Sequence, residues 1–292
     1  MRRTLAAVLA VLVLGGCGSS PKSHSTASGS PPGSLDALWH AGGESVGLIS
    51  GTFDYSPGDV RVSFLVVRHN ARQVVAPRAF VHVARSLSAR PFEQRWARLE
   101  HTGPNPIFVA HLILRKPGRY WIVAAPAGSR VRGLGTVDVQ AASQSPAVGA
   151  KAPRSRTPTI ASTHGDFAAL TTRTPPDKGL LRYSVAGSLA AHKPFVVVFA
   201  TPKFCTSRTC GPVVDVVNAV RRRFRHNAVR FIHVEVYKRN NPNLGPNVFM
   251  RQWRLPGEPW TFLVGADGRI KAKFAGPISV GELAAAVRRT LL

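Results

Sequence analysis

Between residues 58 and 140 apolar and polar positions alternate in short runs broken by turn residues. VRVSFLVV (60 to 67) follows Pro57-Gly58, and AFVHVA (79 to 84) alternates. IFVAHLIL (107 to 114) passes through Lys116-Pro117-Gly118 into YWIVAAP (120 to 126), and GTVDVQ (135 to 140) closes the series. A period of two between Pro-Gly turns predicts antiparallel strands with one buried face. With no helical period in this stretch, 44 to 140 is expected to form an all-β sandwich.

The period changes after residue 160. LLRYSV (180 to 185) suggests an opening strand and GSLAAH a short helix. FVVVFA (195 to 200) is apolar on both faces, as a central strand covered by helices requires. Pro212 starts a run in which Val213, Val216, Val217, Val220 and Phe224 share one helical face. VRFIHVEVY (229 to 237) reads as a second interior strand, and WTFLVG with RIKAKFAG flanks Ala266-Asp267-Gly268 as a hairpin. VGELAAAVRRTLL is an amphipathic last helix, so 160 to 292 is expected to be an α/β domain. Between the two regions, AASQSPAVGAKAPRSRTPT (141 to 159) has the composition of a linker.

The start of the chain is different again. Arg2 and Arg3 precede an apolar run from 5 to 14, too short to span a bilayer, and then Gly15, Gly16 and Cys17. Leu14-Gly15-Gly16-Cys17 resembles the lipobox of bacterial lipoproteins. The resemblance implies a signal peptide over 1 to 16 and a diacylated Cys17 as mature N-terminus, anchored at the extracytoplasmic face of the cell membrane. Residues 17 to 43, opening with GSSPKSHSTASGSPPGS, then form the lipidated cysteine and a flexible tether.

Charge narrows the partners. The chain has 39 Lys plus Arg against 14 Asp plus Glu, a net charge of +25. The excess is spread along the chain without a stacking motif, so nucleic acid is not expected, and anionic lipid or wall polymer fits better. Arg221, Arg222, Arg223 and Arg225 suit the negative pole of a helix end.

With Cys17 lipidated, two cysteines are left, Cys205 and Cys210, separated by Thr206, Ser207, Arg208 and Thr209. An even pair in an oxidising compartment is expected to form a disulfide at least part of the time. Cys210 stands at the mouth of the helix expected from Pro212, where unpaired amides lower a thiol pKa, and is therefore the expected acidic thiol. The opposite order, with Cys205 attacking, stays open. His82, His101 and His111 show no metal-ligand spacing, and His233 falls in an interior strand, so neither a metal nor a cofactor is expected.

The order strand, cysteine loop, helix, strand, hairpin, helix resembles the thioredoxin-like fold, and FVVVFATPKFC with Cys210-Gly211-Pro212 is similar to the approach to its dithiol. Gly257-Glu258-Pro259-Trp260-Thr261-Phe262 is similar to the segment bearing its cis-proline, and VGAKAP and VGADGRI to membrane-tethered thiol-disulfide oxidoreductases and peroxiredoxin-like proteins. The first domain resembles immunoglobulin-like domains of exported bacterial proteins. The resemblance implies a thiol-disulfide oxidoreductase acting on exported proteins, with Cys205 and Cys210 as the exchanging pair, Glu258 as proton relay and Pro259 facing the thiols. The chain departs from the pattern in its four-residue spacing, in Val213 where a second cysteine follows Cys-Gly-Pro, and in having no acid within FVVVFA. A binding module with a structural disulfide, and a copper-handling chaperone using His233, are the alternatives.

Overall fold

The computed structural model describes residues 30 to 292 except Pro104 and Arg208. Cys17, the signal segment and the first part of the tether lie outside the described residues.

Helix α1 (Leu35–His40), capped by Ser34, precedes seven strands. These are β1 (Glu44–Ser50), β2 (Gly58–Val67), β3 (Arg78–Ala84), β4 (Glu93–Glu100), β5 (Ile107–Leu114), β6 (Gly118–Pro126) and β7 (Val131–Val139). They form a closed barrel in the order β1-β2-β5-β4-β3-β6-β7. Its interior is filled by alternate side chains, among them Val62, Phe64, Val81, Phe108, Leu112, Tyr120 and Ile122.

The second region holds α2 (Val185–Ala190), β8 (Phe195–Phe199), α3 (Cys210–Arg223), β9 (Arg230–Val234), α4 (Val248–Gln252), β10 (Trp260–Val264), β11 (Ile270–Ala275) and α5 (Val280–Thr290). The sheet order is β11-β10-β8-β9, with β8 and β9 parallel and the other pairs antiparallel. Alternate residues of β8 serve two cores, which is why FVVVFA has no polar face. Val196 and Val198 pack with Val213, Val217, Leu283 and Val287 of α3 and α5. Phe195, Val197 and Phe199 pack on the other side with Trp253, Trp260 and Phe262.

This architecture corrects the expected pairing of an immunoglobulin-like sandwich with an α/β thioredoxin-like fold. A sandwich keeps two sheets with free edges. Here β1 pairs in parallel with β7, from Glu44 opposite Val131 to Gly47 opposite Leu134, and closes the sheet on itself. In the second region the expected strand 180 to 185 does not form. A 3₁₀ turn at Lys178–Leu180 and the Ser184 cap of α2 take its place, leaving a four-stranded sheet with few helices.

The segment 141 to 159 is bound to the second sheet. Ser143 and Ser145 contact Asp54 and Lys273, Ala152 N–H donates to Gly268 O, and the Ser155 hydroxyl accepts from Trp253 Nε1 at 3.1 Å. The barrel is also held directly: Arg61 binds Glu282 of α5 and the Pro277 carbonyl, and Ser279 donates to Glu100. Phe53 meets Trp260 edge-on at 5.6 Å, so the barrel reaches the loop that enters β10.

Candidate active site

β8 ends at Phe199, and a turn over 202 to 207 carries the chain to α3. The helix begins at Cys210, two positions before the proline expected to open it, and its cap Thr209 makes no side-chain cap hydrogen bond. The first amides are thus left for another acceptor. Cys210 N–H donates to Cys205 Sγ at 3.4 Å, and the Ser207 hydroxyl lies 3.3 Å from the same sulfur. Cys205 therefore sits over the helix mouth, while Cys210 is inside the first turn with none of its surface exposed. Both are free thiols.

The expected order of acidity is reversed. Hydrogen bonding from the Cys210 thiol, with smaller help from Ser207 and the backbone amides, brings the Cys205 pKa down to about 5. The same hydrogen bond, donated toward Cys205, and then burial push Cys210 far up. The helix end acts on the sulfur that faces its amides, and that sulfur belongs to Cys205.

Glu258 is brought to the pair from the loop before β10. The two Sγ atoms and a Glu258 carboxylate oxygen lie within 4.8 Å of one another. The Glu258-Pro259 bond is cis, and Pro259 O accepts from Gly276 N–H at 2.9 Å. Burial, then the charges of Cys205 and Glu235, raise the Glu258 pKa to about 8. Its Oε2 is buried without a hydrogen-bond partner among the described residues.

Glu235, just beyond β9, was not among the residues expected from the sequence. It is 5% exposed, and its Oε1 accepts from Thr172 N–H at 2.6 Å and Thr172 Oγ1 at 2.8 Å. Its Oε2 has no partner among the described residues. The signal in the sequence was an acid flanked by Val234 and Val236 in the interior-strand run VRFIHVEVY. Burial raises the Tyr237 pKa, and the charges of Glu258 and both cysteines add to it.

His233 stands apart from the thiol group. Its Nε2 lies 3.0 Å from Ala200 O and its Nδ1 3.4 Å from Thr171 Oγ1, so both ring nitrogens are engaged in the core. A copper site built on His233 and the two cysteines does not form among the described residues. His82 on β3 is half-buried and His111 on β5 is exposed, and exposed His101, in the loop after β4, borders a pocket with Pro212 and Asp215 of α3; none of the three is grouped with the two cysteines and Glu258.

Beside the pair runs a groove of about 860 Å³ bordered by Phe167, Thr172, Lys203, Phe204, Gly211 and Arg239. Phe204 and Gly211, the chain neighbours of Cys205 and Cys210, stand on its wall. Lys203 N–H donates to Thr172 Oγ1 at 3.2 Å, which joins the groove wall to the Glu235 carboxylate.

No family model matches the chain, and no curated protein does. Among solved structures, the chain is similar to a thiol:disulfide interchange protein of the thioredoxin family from Chlorobium tepidum. The match is 18% identical, covers 37% of this chain and 90% of that one, and has a TM-score of 0.30.

Proposed function

We propose that this chain is a lipid-anchored thiol-disulfide oxidoreductase of the extracytoplasmic membrane face that acts on exported proteins. The observation that carries the reading is the pairing of an acidic, half-exposed Cys205 with a buried, protonated Cys210 on the first turn of α3. A thiolate is the attacking species, and a thiol held behind it is placed to resolve. The lipobox-like sequence ending at Cys17 and the polar tether after it support the anchored location.

In the cycle, Cys205 thiolate attacks a substrate disulfide reached along the groove. A mixed disulfide forms and one substrate sulfur leaves and takes up a proton. Cys210 then gives its proton to the Glu258 carboxylate and attacks the Cys205 sulfur. The Cys205–Cys210 bond forms, the second substrate sulfur leaves, and two electrons have passed from the pair to the substrate. A passive cross-link accounts less well for Glu258, since a buried, unpartnered carboxyl oxygen adds nothing to a staple.

Insulin reduction by the wild type, Cys205→Ser and Cys210→Ser tests this. Cys205→Ser should abolish turnover, and Cys210→Ser should accumulate mixed disulfides through Cys205. Trapping through Cys210 alone would reverse the assignment, and unchanged activity in both variants would sink it.

A further inference from the structure

The cluster at the head of α3 has an unusual charge balance for this protein. Lys and Arg outnumber Asp and Glu by 25, yet neither Glu235 nor Glu258 is in an ion pair among the described residues. Each keeps one buried carboxyl oxygen without a partner. Two cysteine sulfurs stand beside Glu258. Donor atoms crowded this closely with no basic partner repel one another once they ionise, and a bound cation relieves that.

The spacing fits one. Donor atoms on a single tetrahedral zinc ion, at about 2.0–2.3 Å from it, stand about 3.3–3.8 Å from one another. The Cys205 Sγ, Cys210 Sγ and Glu258 carboxylate oxygen are within 4.8 Å of one another, so side-chain rotations that close the gaps by about 1 Å bring them onto one ion. Two thiolates select a thiophilic metal, and the hard carboxylate favours a divalent ion over Cu(I). Cys210 is the buried donor, while Cys205 and Glu258 are each partly exposed.

We propose that in the reduced protein Cys205, Cys210 and Glu258 form a site for a thiophilic divalent cation of the zinc class, and that the bound ion and the Cys205–Cys210 disulfide exclude one another. The exclusion rests on the redox reading given above, whereas the site itself does not need it. Binding displaces the Cys210 proton and engages both sulfurs. Loss of two electrons from the pair to an incoming disulfide converts both sulfurs to the cystine and releases the ion.

The test is a titration of the full-length chain, reduced and freed of metal, with Zn²⁺ against a competing chromophoric chelator and separately with Co²⁺. One equivalent should bind, and Co²⁺ should give thiolate-to-cobalt charge-transfer absorption, which reports the ligands in the wild type without any variant. Cys205→Ser and Cys210→Ser should remove that absorption. Glu258→Gln should weaken Zn²⁺ binding by more than the roughly 10–100-fold typical of outer-shell partners. Zn²⁺-loaded protein should resist oxidation by oxidised glutathione that converts the metal-free form to the disulfide. Absence of stoichiometric binding, or binding unaffected by Glu258→Gln, overturns the site. If metal-free protein still exchanges disulfides in that case, the redox reading survives alone.

Discussion

Arg61 of β2 grips Glu282 of α5 through two parallel hydrogen bonds, Nε to Oε1 at 2.7 Å and Nη2 to Oε2 at 2.9 Å. Glu282 is also the third residue of a capping box, exchanging hydrogen bonds with Ser279. One carboxylate therefore caps α5 and anchors the barrel. Both side chains are largely buried, at 11% and 15% exposure. Arg61→Ala leaves Glu282 unpaired and should cost about 3 kcal/mol, measured by denaturant unfolding. Glu282→Gln in the same background should recover part of that loss, as a double-mutant cycle would show. A cost below 0.5 kcal/mol on removing Arg61, the range of an ordinary surface change, would mean the contact does not hold the two regions together.

A second anchor is steric. Gly276 follows β11 with φ +85°, and a Cβ there would strike the Gly51 carbonyl oxygen across the interface. Gly276→Ala combines a left-handed backbone with that collision and should destabilise by roughly 1–3 kcal/mol. Because Phe53 rests on Trp260 beside the Glu258 loop, the same variant should raise protease sensitivity near 257 to 260. Native-like resistance there would show that the barrel does not brace the loop.

Much of this was legible because burial writes itself into strands. FVVVFA lies on a sheet covered on both sides, and VRVSFLVV and IFVAHLIL show the barrel interior directly. Closure of the barrel was not legible. It depends on β1 meeting β7, a backbone pairing between ESVGLIS and VRGLGTVDV that neither segment announces. β4, EQRWARLE, was missed since Ala97 is its one buried residue and its contribution is hydrogen bonding to β3 and β5. At the site, the cysteines were evident, and Glu258 came from a resemblance. Their acidity order was misjudged because the helix starts at Cys210, which moves the amides onto the other sulfur.

Cys205 should alkylate with iodoacetamide at a rate that rises through about pH 5 and is level above it, while Cys210 stays unreactive in the folded protein. A free thiol rises through about 8.5 instead. The depressed pKa also stabilises the reduced fold. That contribution is complete above the unfolded thiol pKa and is lost as pH falls toward 5. Cys205→Ser should remove this pH dependence, as thermal unfolding at pH 5 and pH 9 would reveal. A rate that rises only near 8.5 would remove Cys205 as the nucleophile.

If Cys17 carries the lipid, Cys17→Ala should move the protein from the membrane fraction or leave its signal uncleaved. Fractionation with mass spectrometry of the N-terminus distinguishes the outcomes. Tight membrane association with normal processing in the variant would count against the anchor.

Glu258 supplies the last prediction, because its stability and catalytic effects run in opposite directions. Its pKa is raised to about 8 from an ordinary 4.5, chiefly by burial. The neutral acid suits the fold, so the benefit is complete below pH 4.5 and is lost as pH climbs to 8. Relative to the wild type, Glu258→Gln should therefore gain stability across that window and hold the gain above it. The proposed cycle needs the ionised form, since in it the carboxylate takes the Cys210 proton before resolution. Resolution of a preformed mixed disulfide should speed up through about pH 8 in the wild type, and Glu258→Gln should slow it by about 10²-fold or more and flatten that limb. A variant that is stabilised at high pH yet resolves at the wild-type rate would leave Glu258 in the site and remove it from the proton path.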